Sequence, residues 1–433
     1  MSREKQKNIK PINFSELLTM AQNYKSLILD KKTDLYQTRS FFIEKFKNQI
    51  SSGSKKLYWK NFNYNIFSEK NKINERNFEK NNIVSFEKSS DVSIVINDGV
   101  ITSNKNLPNN IRITDFKEVS DDDVCSYIKK TDKLNDPFVS VNNGSCDCGF
   151  VLDVKESKSP QIIHIKNISS KAGLYQNRQI YNISKNVKIT FIESFEGYSE
   201  QFNNTISQWK VKENANVYKY SFGSRAGSHK NSQSVFSEFV EQHKNSTCNF
   251  YSFYFNDGGL GFSGKIRNNI LFNLIGENIT SNQWSVSLLR DECFVDNDVR
   301  TQHMSPNCSS SQVYKGIYND RSKGRFDSCV YVAKDAQKSD TVQSNNNILL
   351  NDNASVNSNP QLEIFADDVK CAHGSTIGQI DRNALFYLRA RGISEVLAKK
   401  LLLTAFVGDI VESINNSDIL SLVSEEVEKQ FHN

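Results

Sequence analysis

The sequence is poor in the residues that usually announce chemistry. Eight cysteines (Cys125, Cys146, Cys148, Cys248, Cys293, Cys308, Cys329 and Cys371) are scattered over 433 residues. That is too sparse for a disulfide framework, so free thiols are expected. No apolar run reaches membrane-spanning length, and the opening MSREKQKNIK has no apolar stretch behind its charges. It is not a secretory signal, and a soluble, cytoplasmic chain is expected. The 54 basic residues are nearly matched by 49 acidic ones, alternating in sign without a long basic run. This argues for a solvated mixed surface and against a nucleic-acid binder. There is no G-x-x-x-x-G-K-[ST] phosphate loop, no G-x-G-x-x-G dinucleotide loop, no G-x-S-x-G elbow, no H-E-x-x-H and no paired C-x-x-C. The glycine-containing stretches Gly223–Ser228 and Asp257–Gly264 precede no helix that would aim N–H groups at phosphate, and read as turns. Cys146-Asp-Cys148 offers a soft metal two thiolates where a closed site needs three or four, and reads as buried cysteine.

Hydrophobic residues make up 37% of the chain, enough for a core, and the mean hydropathy of −0.55 reflects abundant Asn and Lys. The length implies two or three structural parts, or one elongated part with attachments. The N-terminal part reads as helical: Asn13 and Glu16 have capping-box spacing ahead of Phe14, Leu17, Leu18, Ala21 and Ile28. A second amphipathic helix is predicted from about Thr33 to Ile50, anchored by Leu35, Phe42 and Phe46. Asn-rich connections follow to about Ser90.

From Val92 the texture is that of strands, with one helical interlude around Asp121 to Lys130. Strand texture dominates from Phe138 to about Ile380. Short apolar runs (Val187–Ile192, Val217–Phe222, Phe250–Phe255, Ile270–Ile275, Val330–Val332) are bounded by Asn, Asp, Ser or Gly. A small polar turn recurs before a β-branched residue or strand: KNVKI, ENANV, GENIT, KDAQK and DNASV, starting at Lys185, Glu213, Gly276, Lys334 and Asp352. Stacked coils need such corners, because Asn and Asp tolerate the left-handed backbone region. A β-helix is therefore predicted over its rival, a sandwich of short strands. The end is helical again. Asp381 caps ALFYLRAR, Gly392 stops it, Ser394 caps a helix carrying Leu397, Leu401, Ala405 and Val411, and Ser417 opens a third with Ile419, Leu422, Val423 and Val427. Leu401–Phe406 is apolar nearly all round, which predicts a partner for part of that surface. The expected division is 1–91 helical, 92–380 β-helix and 381–433 helical.

One constellation stands apart. In an extended Cys371-Ala-His373, residues two apart project from one face, so a thiol and an imidazole stand together as borderline-soft ligands for iron or zinc. Gly374 follows, and Asp367 and Asp368 precede, placed either to orient the imidazole or to face solvent. The surrounding PQLEIFADDVKCAHGSTIG (Pro360–Gly378), with Asp335–Ser394 and Asp296–Phe326 around it, resembles the SufB/SufD family of iron–sulfur cluster assembly scaffold proteins, in its SufD form. NNGSCDCGF (Asn142–Phe150) departs from the family pattern, so no role is carried onto its cysteines.

The resemblance implies a mainly β protein: a right-handed parallel β-helix flanked by N-terminal and C-terminal helices. It implies a non-catalytic subunit of the SUF system, pairing with a SufB-like subunit and bound by a SufC-like ABC ATPase. The isolated chain would hold no cofactor tightly and could pair with itself. A nascent iron–sulfur cluster would form in the complex. The family's functional histidine falls on His373, the candidate metal ligand shared with the partner subunit, and the cysteine of the same motif on Cys371. The ATPase-docking segment falls on Leu385, Phe386, Tyr387, Arg389, Arg391 and Gly392. The rival readings are a β-helical carbohydrate-acting enzyme and a purely structural adaptor with Cys371 and His373 both in the core. The first wants secretion and a groove of acids, and the sequence shows neither.

Overall fold

The structure is a computed structural model that describes residues 33–51, 90–105, 107–169, 173–197, 201–226, 233–255 and 264–431, with Leu18. The helix expected around Asn13 and Glu16, the Asn-rich connections and most of the two glycine-containing loops lie outside these residues. The apolar runs all fall on strands, with Val187 and Ile275 one residue outside them. Odd-numbered strands from β5 (Gln161–Ser169) to β19 (Lys370–Gly378) form one sheet, and even-numbered strands from β4 (Gly149–Val154) to β18 (Ser355–Ile364) form the other. Within each sheet a strand pairs in parallel with the strand two further along the chain. Two strands and two corners therefore make one coil of a parallel β-helix. The first coil is closed off by antiparallel strands, β2 (Val100–Lys105) on β1 (Val92–Asn97) and β3 (Ile111–Asp115) on β4.

The corners explain why the polar turns recur. Asn186, Asn214, Asn245, Asn278 and Asn307 all have φ between 57° and 60°, one per coil. This left-handed conformation costs most side chains about 1–2 kcal/mol and asparagine less. Here it is secured twice. The corner N–H donates to the next coil, from Asn186 to Glu213 O at 3.0 Å and from Asn245 to Glu277 O at 2.9 Å. The side chains form a ladder, Asn214 Nδ2 donating to Asn186 Oδ1 at 3.1 Å, Asn245 to Asn214 at 3.1 Å and Asn278 to Asn245 at 3.2 Å. In KDAQK the left-handed residue is Lys338, with φ 60°, so the rule is positional rather than compositional. DNASV turns differently: Asn351 Oδ1 accepts the N–H groups of Asn353 and Ala354.

Inward alternation builds the core. Phe150, Tyr181, Phe191, Trp209, Phe250 and Phe272 fill the lumen of the earlier coils, with Tyr181 stacked on Trp209 at 3.8 Å. Such pairs add about 0.5–1.5 kcal/mol beyond burial. Helices cover both sheets. On the even sheet lie α1 (Asp34–Ser51), α2 (Asp121–Lys130) and α3 (Pro137–Ser145); Phe42 and Phe46 of α1 are buried there as expected. On the odd sheet α5 (Glu395–Glu412) and α6 (Ser417–Gln430) bury Leu403, Val407, Ile410, Ile419, Val423 and Val427 against Tyr220, Tyr251, Phe253 and Val286.

One expectation is corrected. Residues 137–145 are helical, not strand. Asp136 accepts the Phe138 N–H at 2.8 Å and Pro137 sits at the first helical position, where its missing N–H is no loss. Asn142, an unpromising helix residue, donates to Asn177 O and Asn204 O at 3.1 and 3.0 Å and so bridges two coils. Tertiary contacts decide the conformation, and the departure around Asn142–Phe150 is the end of this helix followed by β4.

Two outcomes follow. Asn245→Ala should destabilise the chain by about 1–2 kcal/mol through the left-handed corner and its lost ladder bonds, whereas Asn245→Gly should cost less, as read from denaturant midpoints. His164 and His303 are buried, each bonded through Nε2 to a serine hydroxyl at 2.8 Å. Burial, with Lys166 adding for His164, depresses both pKa values from 6.5 to about 4. The unfolded chain binds more protons between these values, so stability is full above about pH 6.5 and falls as pH drops toward about 4, by on the order of a few kcal/mol per histidine. A His164→Asn/His303→Asn variant should lose less thermal stability over that window than the parent.

Candidate functional site

The Cys371-Ala-His373 segment lies on β19, the last strand of the odd sheet. It pairs with β17 (Asp340–Leu349) in the register Thr341↔Cys371, Gln343↔His373, Asn345↔Ser375. On β17, Thr341, Gln343 and Asn345 are buried in the lumen while Val342 is 45% exposed. Parallel register carries that orientation to the next coil, so Cys371, His373 and Ser375 all face the lumen at its open end. Across it, Ser375 donates to Ser358 Oγ of β18 at 2.7 Å. Among the described residues neither β18 nor β19 has a further strand on its outer side. His373 is accordingly exposed, while Cys371 is half-buried against Val330, Val332 and Leu362. Burial raises the Cys371 thiol pKa, and the Asp340 carboxylate adds to this.

The structure brings Cys371 and His373 to one face but adds no third ligand. No group of three or more His, Cys, Asp or Glu side chains that could hold a metal ion occurs among the described residues. Asp367 and Asp368 face solvent in the β18–β19 corner, where Asp368 O accepts the Lys338 N–H at 2.6 Å and its N–H donates to Gln337. The Asp368 backbone thus ties that corner to the preceding coil.

Leu385, Phe386, Tyr387, Arg389, Arg391 and Gly392 lie on and just after α4 (Arg382–Ala390), capped by Asp381 as expected. No residue of this helix is buried; Phe386 is 74% and Tyr387 56% exposed. Arg391 lies over the Tyr387 ring at 4.5 Å, and Arg389 pairs with Glu395 at 3.3 Å. The helix stops at Gly392, with φ 88°, whose N–H bonds Arg389 O while the Ile393 N–H bonds Leu388 O. Two carbonyls of the last turn are thus satisfied. On α5 the buried stripe is Leu403, Val407 and Ile410, whereas Leu397 and Leu401 stay 47% and 46% exposed beside α4. The run that is apolar all round is thus covered on one side only.

Cys146 and Cys148 are free thiols packed on the Gln176 carbonyl, at 3.6 and 3.1 Å. Burial opposes ionisation of Cys146, but the Cys148 thiol and the Arg178 guanidinium pull its pKa down; the same contact pushes that of Cys148 up. The Cys148 thiol also donates to Asp147 Oδ1 at 3.4 Å, yet no group of three that could hold a metal ion forms here among the described residues.

Sequence reasoning missed the buried charges. Lys219 is buried in the lumen, paired with Glu238 and with Glu193 at 3.3 Å, its ammonium 5.3 Å from the Phe250 ring. Burial disfavours its charge, but the two carboxylates keep it protonated. Arg267 is buried between the even sheet and the start of α3, enclosed by Asp296 at 2.6 Å, Asp136 at 3.3 Å and Asp298 at 3.4 Å. The available signal was a single charge at an inward position of an apolar strand, as Lys219 is in VYKYSF.

The fold and site define a parallel β-helix whose last coil presents a cysteine and a histidine at an open end, followed by a helix with an uncovered aromatic face. The family model described as "SUF system FeS cluster assembly, SufBD core domain" matches residues 166–406, more than half of the chain. The chain belongs to the SufBD family of the SUF iron–sulfur cluster assembly system. It is similar to the iron–sulfur cluster assembly protein SufD of Escherichia coli, 37% identical over 158 residues, which are 36% of each chain. It is also similar to a SufBD family protein of Synechocystis, 26% identical over 305 residues, or 67% of this chain and 65% of that one. The chloroplastic protein ABCI7 of Arabidopsis thaliana is 26% identical over 301 residues, 66% of this chain and 61% of the relative. The matched stretches thus span about a third of the first relative and less than two thirds of the other two. No helix among the described residues is long and apolar enough to cross a membrane.

Gly392→Ala meets open space, so only the backbone opposes it. It should cost about 1 kcal/mol in thermal unfolding of the chain, and Gly378→Ala, also in open space but without a positive φ, should be near neutral.

Proposed function

We propose that this chain is a SufD-type, non-catalytic scaffold subunit that pairs with a SufB-like subunit and is gripped by a SufC-like ATPase. The observation that carries the reading is the last coil. Its two strands have outer edges without a partner among the described residues, and it presents His373 to the outside. Exposed strand edges are ready templates for pairing with a related chain. A nascent cluster, the substrate of the assembly, would form at that seam. His373 would supply a nitrogen from this side, and thiolate or carboxylate ligands would come from the partner. Two ligand types on one face suit half of such a site. The exposed face of α4, with Phe386, Tyr387, Arg389 and Arg391, supports docking of the ATPase, whose closure would move the two scaffold chains as rigid bodies. The adaptor reading needs both motif residues in the core, and the exposure of His373 speaks against it.

His373→Ala in the assembled complex should lower cluster yield at least about 10-fold, as expected for loss of a ligand, with the complex still forming. Unchanged yield would sink the ligand role. Co-purification of the parent chain with a SufB-like subunit and a SufC-like ATPase should succeed, and Phe386→Asp should release the ATPase alone. Failure of the parent to bind either protein overturns the assignment.

A further inference from the structure

We infer that Gln343 positions His373 by accepting a hydrogen bond from one ring nitrogen, which leaves the other nitrogen basic and directed out of the coil. The inference rests on the reading of His373 as the cluster-facing residue. Its basis is a polarised column of side chains in the lumen. Gln283 of β13 (Thr280–Leu289), Gln312 of β15 (Ser309–Tyr318), Gln343 and His373 occupy successive rungs of one inward-facing column. The three glutamines are almost wholly buried.

The bonds along this column have a direction. Gln312 Nε2 donates to Thr301 Oγ1 at 2.8 Å, while Gln312 Oε1 accepts from the Ser328 hydroxyl and from Gln343 Nε2 at 3.3 Å. Gln343 Nε2 also donates to Ser328 Oγ at 2.7 Å. From Gln312 onward each amide nitrogen is thus committed toward the earlier coils, and each amide oxygen is left for the later one. Gln343 Oε1 is where the run ends: it is buried and has no hydrogen-bond partner. A buried acceptor without a donor is costly. Gln283 Oε1 also lacks a partner, and its next rung, Gln312, turns one amide N–H aside to Thr301. Gln343 is followed instead by a side chain with a ring N–H to give. Adjacent strands are about 4.8 Å apart, so a small torsional adjustment of the imidazole brings that N–H to the oxygen. Neutral imidazole has one donor and one acceptor nitrogen, and fixing the donor fixes the tautomer and the ring plane. Residues that orient a ligand in this way commonly change its affinity or the activity by about 10-fold or more.

The test uses the full chain labelled with ¹⁵N on histidine, with His373→Gln assigning the His373 signals. The parent should show one neutral tautomer, and Gln343→Glu, which keeps the acceptor, should hold the same nitrogen protonated. Gln343→Met removes the acceptor at similar volume and should give two tautomers in exchange. His303 signals and the melting temperature report that the fold is kept, and Gln343→Asn, which withdraws the acceptor by one carbon, replaces Gln343→Met where that variant does not fold. In the assembled complex Gln343→Met should lower cluster yield by about 10-fold, with recovery in Gln343→Glu. An unchanged His373 tautomer in Gln343→Met, or in Gln343→Asn where that variant takes its place, overturns the inference, even where His373→Ala abolishes cluster formation. Full cluster yield in His373→Ala overturns the cluster reading while leaving the tautomer result standing.

Discussion

Everything in this molecule depends on coil-to-coil registration at the corners. A parallel β-helix gains nothing from local hairpins, since every strand pairs with one a full coil away. The left-handed asparagines solve the registration problem once per turn. Their N–H groups reach the next coil and their side chains ladder from Asn186 to Asn278. Closure at these points fixes which residues face the lumen, because a one-residue slip would turn every side chain to the other face. The identity of the lumen-facing residues at the far end follows from that registration.

The lumen changes character along its length. The earlier coils are filled by stacked aromatic rings, interrupted by the ion group of Lys219, Glu193 and Glu238. Toward the C-terminus the same positions carry Gln283, Gln312, Gln343, Thr301 and Ser328, joined by hydrogen bonds. Aromatic coils supply hydrophobic burial; polar coils supply direction, since amides donate at one end and accept at the other. The open end therefore presents more than unpaired strand edges. Its lumen-facing groups stand on a fixed hydrogen-bonded column. In the seam proposed above, such a column would hold side chains in orientation before the partner arrives, without a third ligand on the chain itself.

The C-terminal helices add a second constraint. Packing of Leu403, Val407 and Ile410 on the odd sheet holds α5 in place, and the Gly392 corner then throws α4 outward with its aromatic side uncovered. Lys315 of β15 bonds both Phe406 O and Asp409, so the helices are tied to the same coils that carry the glutamine column.

The sequence alone determined the local grammar. Asn at the corners, Asp381 and Ser394 as caps, Gly392 as a stop and Cys371 beside His373 on one strand face are all consequences of backbone stereochemistry and alternation, which act within a few residues. The conformation of 137–145 was not legible, because Asn142 becomes a helix residue only when Asn177 and Asn204 offer it carbonyls from two other coils. The buried charges of Lys219 and Arg267 were not legible either, since each is stabilised by carboxylates from other coils. Tertiary structure alone decided that His373 faces an open lumen rather than a closed core, and that Gln343, thirty residues earlier in the register, lies directly beneath it. The physical reason is that a β-helix makes neighbours of residues a coil apart, a distance no local pattern can encode.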